Sequence, residues 1–296
     1  MSLPQFIGIG APRSGTRWLA QCLAEHPEIS LPSDEVYFFT TRRVVHSYWH
    51  RGLEWYEKII STNPKPGAKI FGEITPVYLL DDDTPHLIRQ TLPDVKLICL
   101  LRDQSERAYS WYRFFLRVNP EIFDTNYSFR HFLTYQTEVY GQEGFYLEHI
   151  ERYLRVFDRE SLLVLLYDDI EARPLPLIRC VYSFLGVNPT FAPPSAGVRI
   201  NEATVATVRS RFVRRISSKL AALPALRRLS GTLNAINLKR VGRENLPRRH
   251  RLDPEMRERM RELYADHNER LGRFLKRDLS HWNTGTLAHP IVQNPI

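Results

Sequence analysis

The chain has 296 residues, 43% of them hydrophobic, with 41 Lys and Arg against 33 Asp and Glu, a net charge of +8. That apolar share is ample for a core, and no Gly/Ser linker, internal repeat or low-complexity tract interrupts it, which favours one domain over 1–296. The three cysteines, Cys22, Cys99 and Cys180, are odd in number and widely spaced, which argues against a disulfide framework or a zinc site. No apolar run approaches the roughly 18 residues of a membrane span, and no cationic leader opens the chain, so no transmembrane segment is expected and the default compartment is cytoplasmic. Charge is uneven. Residues 1–198 hold 20 basic and 24 acidic side chains, whereas 199–277 hold 21 basic and 8 acidic. That asymmetry suggests an anionic partner.

The pattern predicts a strand at 5–10 and a helix at 16–26, then an irregular segment with a helix at Leu53–Ile60. A strand at Lys69–Gly72, a helix near Thr84–Thr91 and a strand at 96–101 follow. Helices are expected near 104–117, 128–135 and 144–157, a strand at Leu162–Tyr167 and a helix at Pro174–Leu185. Alternating strands and helices give an α/β fold with a mostly parallel sheet covered by helices on both faces. After residue 200 the pattern is almost wholly helical. The expected organisation is an α/β core over about 1–198 and a basic helical part over about 199–283.

The first strand runs into Gly10-Ala11-Pro12-Arg13-Ser14-Gly15-Thr16 at a helix start. A glycine loop at a helix N-terminus suits a phosphate, since free N–H groups and the helix dipole favour an anion. Gly10 and Gly15 have Walker A spacing, but Thr16 stands where that motif has its Lys. The loop is therefore a poor triphosphate site. A plain strand–turn–helix is the alternative. The strand Lys96–Leu101 ends in Arg102-Asp103 and a second helix.

Pro12-Arg13-Ser14-Gly15-Thr16-Arg17-Trp18-Leu19 resembles the 5′-phosphosulfate loop of sulfotransferases, and LLRDQSERAYSWY resembles their 3′-phosphate motif. HPEISLPSDEVYFFT, GEITPVYL, LLVLLYDDI and the ending from Leu252 to Trp282 also resemble segments of heparan-type and bacterial carbohydrate sulfotransferases. The resemblance implies a P-loop-NTPase-like sheet, 3′-phosphoadenosine 5′-phosphosulfate (PAPS) as donor, adenosine 3′,5′-bisphosphate (PAP) as product and no required metal. It implies that Arg102 and Ser110 hold the 3′-phosphate, and that Arg13, Ser14, Gly15, Thr16 and Arg17 cradle the donor's 5′ side. Trp18 is either an adenine-stacking face or a core residue of the first helix. Lys239-Arg240-Val241-Gly242-Arg243 is a loose relative of the late loop that closes on the 3′-phosphate, which nominates Arg240 and Arg243.

Sulfuryl transfer needs a base for the acceptor proton and positive charge at the leaving phosphate. The second role falls to Arg13, where the family usually has Lys. Glu35 in SDEVYFF matches the base of heparan-type enzymes, with Tyr37 in place of a His; Asp34 is its neighbour. Glu73 in GEITP is the second candidate, with Ile74 where the heparan-type pattern has Lys. His26 precedes Pro27 and has the wrong context for a base. Tyr78, Tyr109, Trp111 and Tyr112 either line an acceptor pocket or belong to the core.

The expected acceptor is a hydroxyl or amine of a carbohydrate or other small molecule, anionic if the basic cluster from Arg209 to Arg251 binds it; nucleic acid is not expected as partner. That cluster also suits a solvated face. Two other functions compete. One is a P-loop-type kinase or NTPase, with Asp103 and Asp168 in rough metal-binding places. The other is a non-catalytic anion-binding module.

Overall fold

A computed structural model of the chain describes residues 3–41, 47–119, 125–136, 142–198, 205–208, 232, 238–241 and 250–285. Its first strands and helices are β1 (Phe6–Gly10), α1 (Thr16–Glu25), β2 (Ile29–Ser30), α2 (Leu53–Ile60), β3 (Ile70–Ile74) and α3 (Thr84–Thr91). Then come β4 (Lys96–Leu101), α4 (Gln104–Val118), α5 (Phe129–Gln136), α6 (Tyr146–Leu154), β5 (Leu162–Leu166), α7 (Tyr167–Ala172) and α8 (Pro174–Leu185). Strands β6 (Val205–Val208) and β7 (Leu238–Val241) precede α9 (Pro254–Leu275) and α10 (Ser280–Thr284).

Five strands pair in parallel in the order β2-β3-β1-β4-β5. Apolar side chains occupy both faces, so the strands read as continuous hydrophobic runs. Leu97, Cys99 and Leu101 enter one core with residues of α2, α3, α6, α9 and α10. Ile98 and Leu100 enter the other, with α1 and α8. From β1 the chain goes to the edge at β2, returns through β3 beside β1, and then crosses to β4 and β5 on the other side. The reversal point lies between β1 and β4, where open parallel sheets bind their ligands.

The chain divides into two compact units. One comprises 1–107, 142–200 and 261–296; the other comprises 108–141 and 201–260. The first unit therefore takes in the end of the chain as well as the sheet. Asp169, on α7, receives Arg277 through two bonds of 2.9 and 3.0 Å. Asp168 accepts from His281 Nε2 at 3.0 Å and Trp282 Nε1 at 3.1 Å. The position expected to serve an NTPase metal is thus occupied in fastening α10. Asp103 caps α4, its Oδ1 accepting the Glu106 N–H at 2.8 Å.

In the second unit, Tyr112 Oη lies 2.6 Å from His250 Nδ1, and Arg130 pairs with Asp253 and Glu255. Its strands correct the almost wholly helical reading of the region after 200. The β-branched stretch Val205–Val208 pairs antiparallel with Leu238–Val241. Lys239 and Arg240 therefore lie on a strand rather than in a loop. The first part of the basic cluster, Arg209–Lys219, lies outside the described residues, as does Arg243.

Strand β1 meets β3 through small residues. Phe6 lies opposite Gly72 in the register, and a Cβ on Gly72 would come within 2.2 Å of the Phe6 ring. Gly72→Ala is expected to lower stability by about 1–3 kcal/mol through overpacking, read from the midpoint of denaturant unfolding.

Candidate active site

Gly15 terminates the loop with φ 99°, a left-handed conformation that glycine adopts without cost. A Cβ there would also press to within 2.9 Å of Ile170. No side chain caps α1, and its first turn carries no acid. The Trp18 N–H turns back to Gly15 O at 2.9 Å, and the positive end of the helix dipole at this terminus suits an anion. Ser14 is fully buried and its Oγ has no hydrogen-bond partner, as expected of a donor awaiting a ligand oxygen. Arg13, at φ 68°, and Thr16 are half-buried; Arg17 is exposed. The loop residues thus fit a phosphate-bearing donor.

The end of β4 meets this loop. Ala11 N–H donates to Leu100 O at 2.8 Å, and Arg102 Nη1 donates to Arg13 O at 3.5 Å. The Arg102 guanidinium sits 4.3 Å above the Tyr167 ring and pairs with Glu106 at 3.4 Å. The loop after β1 and the end of β4, the two segments expected to bind anions and almost ninety residues apart in sequence, are therefore neighbours. Ser110 is half-buried on α4 in the second unit, and Arg240 lies on β7 opposite Ala206.

Trp18 is 4% exposed, and its indole N–H donates to Ala196 O at 3.0 Å. Its surroundings match the core reading, since it packs among Leu19, Cys22 and Leu185. Tyr78, Tyr109 and Tyr112 are buried as well. His26 is consumed structurally: Nδ1 accepts the Glu28 N–H, which leaves Nε2–H to donate to Asn188 O at 3.0 Å.

Glu35 is open to solvent and receives the Tyr37 phenol. Surrounding protein raises its carboxyl above the ordinary value, against the opposing effects of the Tyr37 bond, Arg17 and Arg13; Asp34 adds a smaller upward push. Glu35 and the cation of the loop thus share one locality.

Glu73 sits differently. It lies on β3 beside Ile7, fully buried within the larger core. Tyr56 and Thr75 each donate to it at 2.6 Å, and Tyr78 at 3.3 Å. Burial pushes its carboxyl up to about 7, the three hydroxyls pull it down, and Glu35 pushes it up. Ile74 faces the opposite core, so the side chain following Glu73 points away from this site.

The hydroxyls around Glu73 and the supports of 36–41 escaped the sequence reading. Val36 N–H donates to Thr75 Oγ1 at 3.0 Å and Phe39 N–H to Tyr78 Oη at 3.2 Å. Asp81 accepts from Thr40 Oγ1 at 2.9 Å and Thr41 N–H at 2.6 Å. The one signal was the spacing of Glu73, Thr75, Tyr78 and Asp81 behind a strand. Also missed was a surface group beside Tyr37. Tyr48 N–H donates to Tyr37 O at 3.2 Å. Trp49 is 39% exposed, and Arg51 lies 5.4 Å from both the Tyr48 and Trp55 rings.

A parallel sheet with an open, basic helix end at its reversal point defines a nucleotide-phosphate-binding α/β protein. Residues 3–274 match the family model described as Sulfotransferase domain, and the chain belongs to that family. Its relatives include mouse bifunctional heparan sulfate N-deacetylase/N-sulfotransferase 4, 31% identical over 204 residues, 64% of this chain and 23% of that protein. Mouse heparan sulfate glucosamine 3-O-sulfotransferase 3B1 is 33% identical over 196 residues, 62% of this chain and 46% of that protein. The chain thus spans less than half the length of these relatives. A sulfotransferase from Alicyclobacillus acidocaldarius shares the fold at TM-score 0.68 and 22% identity, over 95% of this chain and 99% of that one.

A buried carboxyl raised to about 7 from an ordinary value near 4.5 binds its proton more tightly folded than unfolded. Its contribution to stability is full below about pH 4.5 and is lost as pH rises through about 7. Glu73→Gln is expected to remove a pH-dependent loss on the order of 3 kcal/mol across that interval. Denaturant unfolding of both proteins at pH 4.5, 6 and 7.5 measures the difference in slope.

Proposed function

We propose that this chain transfers a sulfonate group from PAPS to a hydroxyl or amine of a glycan. The observation that carries the reading is the bond from Arg102 to the Arg13 carbonyl, which joins two anion-binding segments, with Glu35 in the field of Arg13 and Arg17. When bound, PAPS supplies an activated sulfonate on its 5′-phosphate. Ser14, Thr16 and the N–H groups opening α1 hold the 5′ side. Arg102 takes the 3′-phosphate, a role that suits its fork of donors and permanent charge.

Glu35 accepts the proton from the acceptor oxygen or nitrogen as that atom bonds to sulfur. The bond from sulfur to the phosphate oxygen breaks, and its electron pair leaves with PAP. Arg13 and the loop amides neutralise the charge growing on that oxygen. Arg13 does this as a fixed cation, because a guanidinium holds its proton too tightly to act as the acid. On the acceptor side, Trp49 and Trp55 offer apolar faces to sugar rings, and Arg51 offers charge to an anionic group. Family membership and the heparan sulfate enzymes among the relatives support a glycan acceptor.

PAP added without magnesium is expected to raise the melting temperature, because a ligand of the native state adds stability. In Arg102→Ala, loss of a charged hydrogen bond worth about 1.5–3 kcal/mol should weaken PAP roughly 10- to 150-fold. Stabilisation by ATP–magnesium with no response to PAP would establish the NTPase reading instead.

Glu35→Gln should keep PAP affinity within about twofold and lower turnover at least 100-fold, the lower range of general-base contributions. Mass spectrometry of a glycan and small-alcohol panel incubated with PAPS provides the readout. Undiminished turnover in the Gln variant would remove Glu35 from the base role.

A further inference from the structure

We propose that Tyr37 is a positioning residue for Glu35, aimed by a hydrogen-bonded chain that begins at buried Glu73 and passes through Thr75. This rests on the reading of Glu35 as base. The links are continuous. Glu73 Oε2 accepts Thr75 Oγ1–H at 2.6 Å. Having spent its proton there, Thr75 Oγ1 accepts the N–H groups of Val36 at 3.0 Å and Tyr37 at 3.5 Å. The Tyr37 phenol then donates to Glu35 Oε2.

The backbone of Tyr37 needs such a hold. Its φ of 54° lies in the left-handed region, unusual for an aromatic residue and retained only where neighbours enforce it. Val36 and Phe38, only 4% and 1% exposed, anchor the chain on either side. Phe39 N–H is held by Tyr78 Oη, itself bonded to Glu73 at 3.3 Å, and Tyr37 O receives the Tyr48 N–H. One core carboxylate therefore orders two supports of the segment that carries Glu35. This gives a reason for a fully buried acid among apolar neighbours, where an uncompensated charge is costly. The tyrosine at position 37 then fixes the Glu35 carboxylate rotamer while leaving Oε1 for the acceptor proton.

The charged and titratable groups around Glu35 are Arg13 in the loop, Arg17 on α1, Asp34 and Tyr37 on its own segment, and Glu73 on β3. Tyr37 itself faces Glu35 and Tyr48. A phenol that donates to a carboxylate favours the ionised form. Removing only that hydroxyl leaves the surrounding protein in place, so the carboxyl becomes harder to ionise. A segment that merely loosened would carry Glu35 away from the surrounding protein and lower its midpoint toward the ordinary value. The two roles thus move the same observable in opposite directions.

The test is a carboxyl-13C NMR titration of Glu35 in the full chain, assigned through Glu35→Gln. In Tyr37→Phe the Glu35 midpoint is expected to rise by about half to one pH unit. In a Thr75→Val background, Tyr37→Phe should no longer move it, whereas in Thr75→Ser the upward movement should return. A fall or no change in Tyr37→Phe overturns the positioning role. Persistence of the full Tyr37 effect with Thr75→Val overturns the chain. Turnover is measured separately: if Glu35→Gln stays active while the midpoints behave as described, the base assignment fails and the positioning chain stands.

Discussion

Everything in the site depends on β1 and β4 being neighbours with their carboxyl ends on the same edge. That pairing puts the loop after β1 against the residue after β4, and Arg102 closes the gap by donating to the Arg13 carbonyl. A helix N-terminus alone attracts any small anion. A second cation at a fixed distance from it selects a ligand with two separated anionic groups. The sheet supplies that distance, since backbone pairing is far stiffer than a loop–loop contact.

The same edge sets up an electrostatic balance. The loop leaves α1 without a side-chain cap or an acid and adds Arg13 and Arg17. That positive end favours an anion, and the buried Ser14 hydroxyl lacks a protein partner in the same place. Glu35 answers part of that field, and solvent access lets it exchange a proton. Glu73 has the opposite setting, sealed from water and surrounded by hydroxyls. Two acids on one side of the sheet thereby sit in opposite settings, Glu35 exposed and Glu73 buried against the hydroxyls that support the backbone of 36–39.

Much of this was legible in the sequence because it is local. Continuous apolar runs marked β1, β3, β4 and β5, though not the two-residue β2, and the glycine loop and the Arg at the end of β4 lie on strand-to-helix junctions. Helix α3 and helix α8 have the predicted bounds, and Tyr167 opens α7 instead of closing β5. What escaped was non-local. The spacing of Thr75 and Tyr78 behind Glu73 hints at a cluster, but it does not announce that their hydroxyls will hold the backbone of 36–39. Nor does Asp168 announce His281 and Trp282, more than a hundred residues away. The strand pair β6–β7 was hidden by an Arg-rich context that reads as helix, although its β-branched residues carry the signal. Trp18 shows the remaining ambiguity, since an aromatic on an amphipathic helix serves core and ligand equally well until its N–H partner is known.

The most direct test of the central claim, one bisphosphate nucleotide bridging the two anion-binding segments, is a 31P NMR titration of PAP into the chain without magnesium. Bridging predicts that both phosphorus resonances shift together and saturate at one equivalent, and that in Arg102→Ala the 3′ resonance loses most of its displacement at saturation while the 5′ resonance keeps its own. Displacement of a single resonance in the wild-type chain, or a nucleotide that leaves both unmoved at millimolar concentration, would contradict it.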